Sequence, residues 1–283
     1  MDFESPLVQR RKLQLAPGSP PPRPDKRARR TIWITLVVLA GITFYGLGTM
    51  DSAGVNVPRA ISDTLRNFAI IFFQPHTHRL TVLDAFTEIV MTIGLAVLTT
   101  VFGAVVALFL GLMGAQNLAP KGVTNFVKGV VAFIRAVPTI LWVLIFAVAA
   151  GLGSTAAVIG LSFHSIGYLT KAYAESFEDL DRGAIEALKA TGANWWQIVF
   201  QAVLPSCATY LLSWTFLRFE MNFANAVAMG AAAGAAGIGF DLFMASGFYF
   251  DLREVGLVTY FILATAIILE VFATRMKAKL KEK

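Results

Sequence analysis

The chain has 283 residues, of which 56% are hydrophobic, and a mean hydropathy of +0.65, more apolar than soluble globular domains of this length. Its formal net charge of +6 does not point to nucleic acid, because Lys and Arg gather at the ends of apolar runs, as a bilayer arranges them. Composition therefore describes an integral membrane protein and excludes a nucleic-acid binder; Cys207, the only cysteine, excludes an intrachain disulfide and reads as a packed thiol.

Residues 1–30 carry Pro17, Pro20, Pro21, Pro22 and Pro24 among many Arg and Lys residues, so they cannot bury a core. A disordered cytoplasmic tail is expected there, either a topological anchor or a segment that attracts anionic membrane lipid. The first span is expected over 32–50, with Trp33 and Tyr45 at the two interfaces. It lacks a small-residue cleavage site and is expected to stay as a helix. Leu65 to Phe73 is too short to cross and suits an interfacial helix. His76 and His78 share one strand face, but no third ligand stands nearby, so no metal site is expected.

The second span, over 86–113, has Glu88 near its outer end, small surfaces at Gly94, Gly103 and Gly111, and Ala115-Gln116-Asn117 at its exit. The third, over 123–150, is expected to kink at Arg135-Ala136-Val137-Pro138, where proline frees backbone carbonyls. Arg135 either reaches a substrate path or snorkels to the interface. After a short turn at Gly151 to Ser154, the fourth span covers 155–173. It carries His164, either a substrate contact or a packing histidine, together with Ser165, Gly167 and Lys171.

The fifth span covers 199–219 and runs into Arg218-Phe219-Glu220-Met221-Asn222. Residues 224–239 are almost all small. No strand precedes them, so a dinucleotide loop is excluded and a tightly packed helix or re-entrant segment is expected. The sixth span, over 255–274, precedes Arg275, Lys277, Lys279, Lys281 and Lys283. Six spans place both termini and the connection over 175–198 in the cytoplasm, in agreement with the basic clusters.

That connection has polar residues crowding its first half and an apolar side formed by Ile185, Leu188, Trp195 and Ile198. Gly192 suits a left-handed helix end and Pro205 the first turn of the next helix, which makes a rigid elbow. The elbow resembles the coupling loop of permease subunits in ABC-type importers, whose signature is Glu-Ala-Ala, three residues, Gly, nine residues, Ile, one residue, Leu-Pro. Glu186, Ala187, Gly192, Leu204 and Pro205 fall on it, while Leu188 replaces the second Ala and Ala202 stands at the Ile position.

The chain is further similar to permeases of phosphonate importers. The similarity rests on Thr87-Glu88, Ala115-Gln116-Asn117, Gly151-Leu152-Gly153, His164-Ser165-Ile166-Gly167, Glu186 to Ala193, Arg218-Phe219-Glu220 with Asn222, and Gly237-Ile238-Gly239. It departs from the usual Val-Gly-Ala-Gly-Gly-Ile-Gly, reading Ala-Gly-Ala-Ala-Gly-Ile-Gly over 233–239. The resemblance implies an all-α bundle of six transmembrane helices, of the type I importer kind seen in methionine permeases. It would pair with a second copy or a paralogue, with two ATPase subunits and with an extracytoplasmic phosphonate-binding protein, in the cytoplasmic (inner) membrane.

Under that resemblance Glu186, Ala187, Leu188, Gly192 and Ala193 would engage the ATPase, and Arg135, His164, Arg218, Glu220 and Asn222 would line the substrate path. The sequence holds no phosphate loop, metalloprotease motif or nucleophile elbow, so no catalytic site or cofactor is expected in this chain, with ATP and Mg on the partner ATPase. An importer permease for another small solute, such as an amino acid or phosphate ester, and an ion-coupled secondary transporter are the alternatives.

Overall fold

A computed structural model describes residues 26–50 and 55–281; among them every regular element is a helix. The chain divides into two compact units, residues 1–60 and residues 61–283. The helices are α1 (Lys26–Thr49), α2 (Val57–Phe73), α3 (Val82–Gly114), α4 (Lys121–Ala136), α5 (Thr139–Ala150), α6 (Ser154–Glu178), α7 (Arg182–Ala190), α8 (Trp195–Ile198), α9 (Leu204–Ala233), α10 (Ile238–Phe243) and α11 (Leu252–Lys281). Two π-helical turns, Val199–Val203 and Met244–Phe248, follow α8 and α10.

The first unit contains α1, an apolar helix long enough to cross a bilayer. It begins at Lys26, so the last five residues of the basic segment are helical rather than disordered. The remainder of the expected tail, residues 1–25, lies outside the described residues.

In the second unit, α3 shows how the sequence specifies a bundle in lipid. Its buried face carries small and hydroxyl residues, including Ala85, Thr92, Ala96, Thr99, Thr100, Gly103 and Gly111, whereas Leu98, Val101, Phe102, Val105 and Phe109 are exposed. This inverts the pattern of a soluble helix. Lipid tails are as apolar as the large side chains, so association depends on backbones approaching closely through small residues. The buried threonines return their hydroxyls to helix carbonyls, Thr99 to Leu95 at 2.8 Å and Thr100 to Ala96 at 2.6 Å. A capping box of Thr81 and Asp84 starts the helix.

α6 is the central element. It packs on α3 where Gly103 meets Ser165 and Gly111 meets Tyr173, and on α5 where Gly160 meets the backbone of Val143. The expected kink in the third span is a full break, since α4 and α5 meet at 89°. Val137 and Pro138 interrupt the hydrogen-bond ladder, and the Trp142 indole donates to the freed Ile134 carbonyl at 2.9 Å.

Four helical segments among the described residues are each long and apolar enough to cross a membrane, and the broken pair makes a fifth. The remaining expected span falls within α6, which is 25 residues long and carries Ser162, His164, Ser165 and Lys171 along its length. It extends to Glu178, five residues beyond the expected end.

The fifth span is also longer than expected. Trp195 to Ala233 forms one helical path of 39 residues, and Pro205 stands in the first turn of α9, as expected, although that helix continues directly from the turn before it. The missing N–H of Pro205 is accommodated by the π-helical turn just before it, where Leu204 N donates to Val199 O. At the other end Gly234 takes φ +63°, and α10 folds back so that Gly239 lies against the Val227 carbonyl. The small-residue stretch is therefore a helix end followed by a close return.

A Cβ on Gly160 would lie 2.6 Å from the Val143 backbone, whereas Gly94 has nothing within 4 Å. Gly160→Leu is therefore expected to cost about 1–3 kcal/mol and Gly94→Leu close to nothing. Unfolding of the purified chain in detergent checks the contrast, and equal midpoints would contradict this packing.

Candidate functional site

The elbow is built from local signals. Asp181 caps α7 by accepting from Gly183 N at 3.0 Å. One turn later Ile185 is buried among Leu112, Tyr173, Phe177 and Ile198, with Leu188 packed beside it. Glu186 and Ala187 are exposed on the other side. The helix ends as expected, with Gly192 at φ +81° and the N–H groups of Gly192 and Ala193 returning to Lys189 O and Leu188 O. A second capping box, Asn194 with Gln197, starts the next helix. Burying Ile185 contributes about 2 kcal/mol to docking the elbow, while Glu186, Ala187 and the Gly192 turn remain available to a partner.

Three polar ties that the motif does not include fix the elbow to the bundle. Glu178 Oε1 accepts from Gln116 N and from Lys128 Nζ, both at 2.9 Å. Asn117 donates to Phe177 O at 2.7 Å, and the Trp195 indole donates to Leu118 O at 2.9 Å. The loop between α3 and α4, the end of α6 and the elbow thus form one block. Gln116 and Asn117 signal this in the sequence as polar residues at a span exit, but their partners lie about 60 or more positions away and have no local signature.

The second constellation lies within the bundle. Arg218 and Asn222 are four residues apart on α9 and share its face toward α3 and α6, where both are fully buried. Arg218 Nε donates to Ser165 Oγ at 3.0 Å. Asn222 Nδ2 lies 2.9 Å from Ser165 Oγ and 2.8 Å from Thr100 Oγ1, and Ser165 donates to Leu161 O at 2.7 Å. The network joins all three helices.

Its distinguishing feature is the open end of the guanidinium. Arg218 Nη1 and Nη2 are buried and have no hydrogen-bond partner among the described residues; the nearest aromatic face is Tyr168, 5.3 Å from Cζ. A pairing of Arg218 with Glu220 would neutralise it, but two residues on a helix point to opposite sides, and Arg218 bonds to Ser165 instead. Glu220 is half-buried on the far side.

His164 is half-buried, its Nδ1 has no hydrogen-bond partner among the described residues, and Arg218 and Arg135 are the charged groups acting on it. Arg135 is itself exposed in the last turn of α4 and packs its stem over Gly167. It lines a cleft of about 290 Å³ between α4 and α6, with Lys128, Lys171, Glu175 and Glu178 on its walls. The fold therefore joins Arg218 and Asn222 through Ser165, sets His164 within electrostatic reach of Arg218 and Arg135, and leaves Glu220 aside. Ser165 and Thr100 complete the group; neither is distinguishable in the sequence from an ordinary hydroxyl of a membrane helix.

A helical bundle closed by small residues, with an exposed helical elbow at one end and a buried cationic network inside, is the architecture of a membrane transport component. The family model described as "Binding-protein-dependent transport system inner membrane component" matches residues 107–281, and the chain belongs to that family. It is a multi-pass inner-membrane protein of a transport system.

Among relatives, the phosphate-import permease protein PhnE of Mycolicibacterium smegmatis (strain ATCC 700084 / mc(2)155) is 30% identical over 186 residues, 65% of this chain and 35% of that protein. The phosphite transport system permease protein PtxC of Stutzerimonas stutzeri is 31% identical over 191 residues, 67% of this chain and 69% of that one. The chain thus spans about a third of the first relative's length and about two thirds of the second's. In solved structures, the fold is shared with the MetNI methionine ABC transporter in inward facing conformations, at a TM-score of 0.62 and 19% identity over 72% of this chain and 99% of that one. It is also shared with a bacterial ABC transporter involved in the import of the acidic polysaccharide alginate, at a TM-score of 0.60 and 12% identity over 89% and 98%.

Asn222→Ala removes donors from both Ser165 and Thr100 in a buried setting and is expected to lose about 1–2 kcal/mol. Lys171→Ala breaks a half-exposed pair with Glu175, 3.4 Å apart, and should cost less than about 1 kcal/mol. Denaturation in detergent measures both, and a larger loss at Lys171 would contradict the network.

Proposed function

We propose that this chain is the permease subunit of an ATP-driven importer for a phosphonate or a related phosphorus oxyanion. The observation that carries the substrate class is Arg218, whose buried Nη1 and Nη2 are left without acceptors while Nε is held by Ser165. A planar fork fixed at one nitrogen presents two parallel donors, the geometry that binds a tetrahedral oxyanion bidentately. Arg135, which shares with Arg218 an electrostatic reach to His164, adds positive charge at the wall of the α4–α6 cleft. Relatives named for phosphate and phosphite support the same class.

In this reading the termini, and with them the elbow, are cytoplasmic, which the basic clusters at both ends of the chain support. The elbow occupies a groove on one of two ATPase subunits, the second permease's elbow occupies the other, and the ATPases bind ATP and Mg and perform hydrolysis; this chain supplies no catalytic group. A second permease copy or a paralogue completes the path, and an extracytoplasmic binding protein delivers the anion. When the ATPases close, force applied through Glu186, Ala187, Leu188, Gly192 and Ala193 reaches α6 by the buried Ile185 and by Glu178. Because elbow, loop and α6 form one block, the bundle rocks as a rigid body and the path switches sides. One weak oxyanion site, rather than a deep cage, permits release.

Reconstitution with the ATPase and binding-protein partners tests this. Phosphonate or phosphite is expected to stimulate ATP hydrolysis and methionine is not. Stimulation by methionine alone would overturn the substrate class. Glu186→Lys should assemble yet lose most of the stimulation, and wild-type stimulation in that variant would remove Glu186 from coupling.

A further inference from the structure

We propose that the end of the bundle opposite the elbow binds a divalent transition-metal cation between His78, Asp251 and Glu254. One ligand atom from each residue lies within 4.8 Å of the others, and His78 Nδ1 is 3.4 Å from Asp251 Oδ2. The sequence shows only His76 and His78 together, with no third ligand near them. The fold brings Asp251 and Glu254 to His78 by setting the segment before α3 against the start of α11, where His76 N donates to Arg253 O at 3.3 Å and Leu80 N to Glu254 Oε1 at 2.7 Å.

The two carboxylates divide their oxygens in the same way. Asp251 Oδ1 caps α11, accepting from Arg253 N at 3.1 Å and Glu254 N at 3.2 Å, and its Oδ2 faces His78. Glu254 gives Oε1 to Leu80, while its Oε2 is buried without a hydrogen-bond partner among the described residues, on a side chain only 4% exposed. A buried carboxylate oxygen without a donor is costly unless a cation meets it.

The neighbouring arginines do not fill that role. Arg79 lies over the Tyr249 ring, 3.7 Å from its centroid, and Arg253 Nη2 donates to Gln74 at 3.1 Å; among the described residues neither forms an ion pair with the cluster. Further negative charge lies close by. Asp241 and Glu254 line one cleft of about 220 Å³, and Asp241 is within electrostatic reach of Glu88 and Asp84.

One imidazole with two carboxylates is a ligand set for Zn²⁺ or Mn²⁺ rather than for Ca²⁺ or Mg²⁺, which prefer oxygen alone. Ligands about 2.1 Å from a tetrahedral ion stand about 3.4 Å apart, so the cluster must contract slightly, and the exposed side chain of His78 can turn to allow it. The ion would tie the start of α11 to the segment leading into α3. This site is independent of the substrate and coupling assignments.

The test uses the full chain in detergent, purified with a histidine-free tag and stripped with EDTA. Calorimetric titration with Zn²⁺ or Mn²⁺ is expected to show one saturable equivalent and a raised thermal midpoint. His78→Ala and Asp251→Asn should each weaken binding at least tenfold and abolish that rise; Asn retains the capping oxygen, and His76→Ala should bind as wild type. Absence of saturable binding, wild-type binding by either ligand variant, or preference for Ca²⁺ or Mg²⁺ would overturn the proposal.

Discussion

Everything in the bundle depends on holding an arginine in its interior. A guanidinium enclosed among apolar helices must be fixed by protein groups or be driven to the interface. Here Ser165 holds one edge of Arg218, while Asn222 ties Ser165 to Thr100. That arrangement requires three helices to approach closely enough for short side chains to meet, and the small residues of α3 and α6 make the approach possible. Replacing Gly103 with a larger residue would push on Ser165, so the packing surface and the polar network are one construction.

The elbow answers a different need, rigidity, which the proposed coupling to an ATPase would use to transmit force. A short helix at a membrane surface is marginal by itself, and α7, with nine residues, gains its rigidity from caps at both ends and from Ile185 in the core. Glu178 then joins the α3–α4 loop to the last turn of α6. Motion applied at the elbow therefore reaches the helix carrying Ser165 and His164 without a flexible joint. The break at Pro138 works the other way, letting α5 leave α4 at a steep angle while Trp142 secures the freed carbonyl.

Local chemistry made much of this visible in the sequence. The Gly192 turn, the amphipathic elbow, the break before Pro138 and the tight packing of the small residues over 224–239 all follow from individual residue types. Continuity was harder to read. Pro205 does stand in the first turn of α9, but a π-helical turn joins that helix to α8 without a break, and the polar residues of α6 conceal a helix that runs on to Glu178. Long-range pairing left no local trace: Arg218 next to Glu220 invites an ion pair, whereas helical geometry sends one toward α6 and the other away. The i, i+4 spacing of Arg218 and Asn222 was the available signal for their shared face.

Uptake of radiolabelled phosphonate by proteoliposomes containing the assembled transporter, wild type against Arg218→Gln, tests the account most directly. In variant protein that folds and associates with the ATPase, uptake is expected to fall at least tenfold, because the proposed substrate path would lose its only fully buried cation among the described residues. Wild-type uptake by a folded, assembled Arg218→Gln transporter would show that the guanidinium serves the bundle and not the cargo.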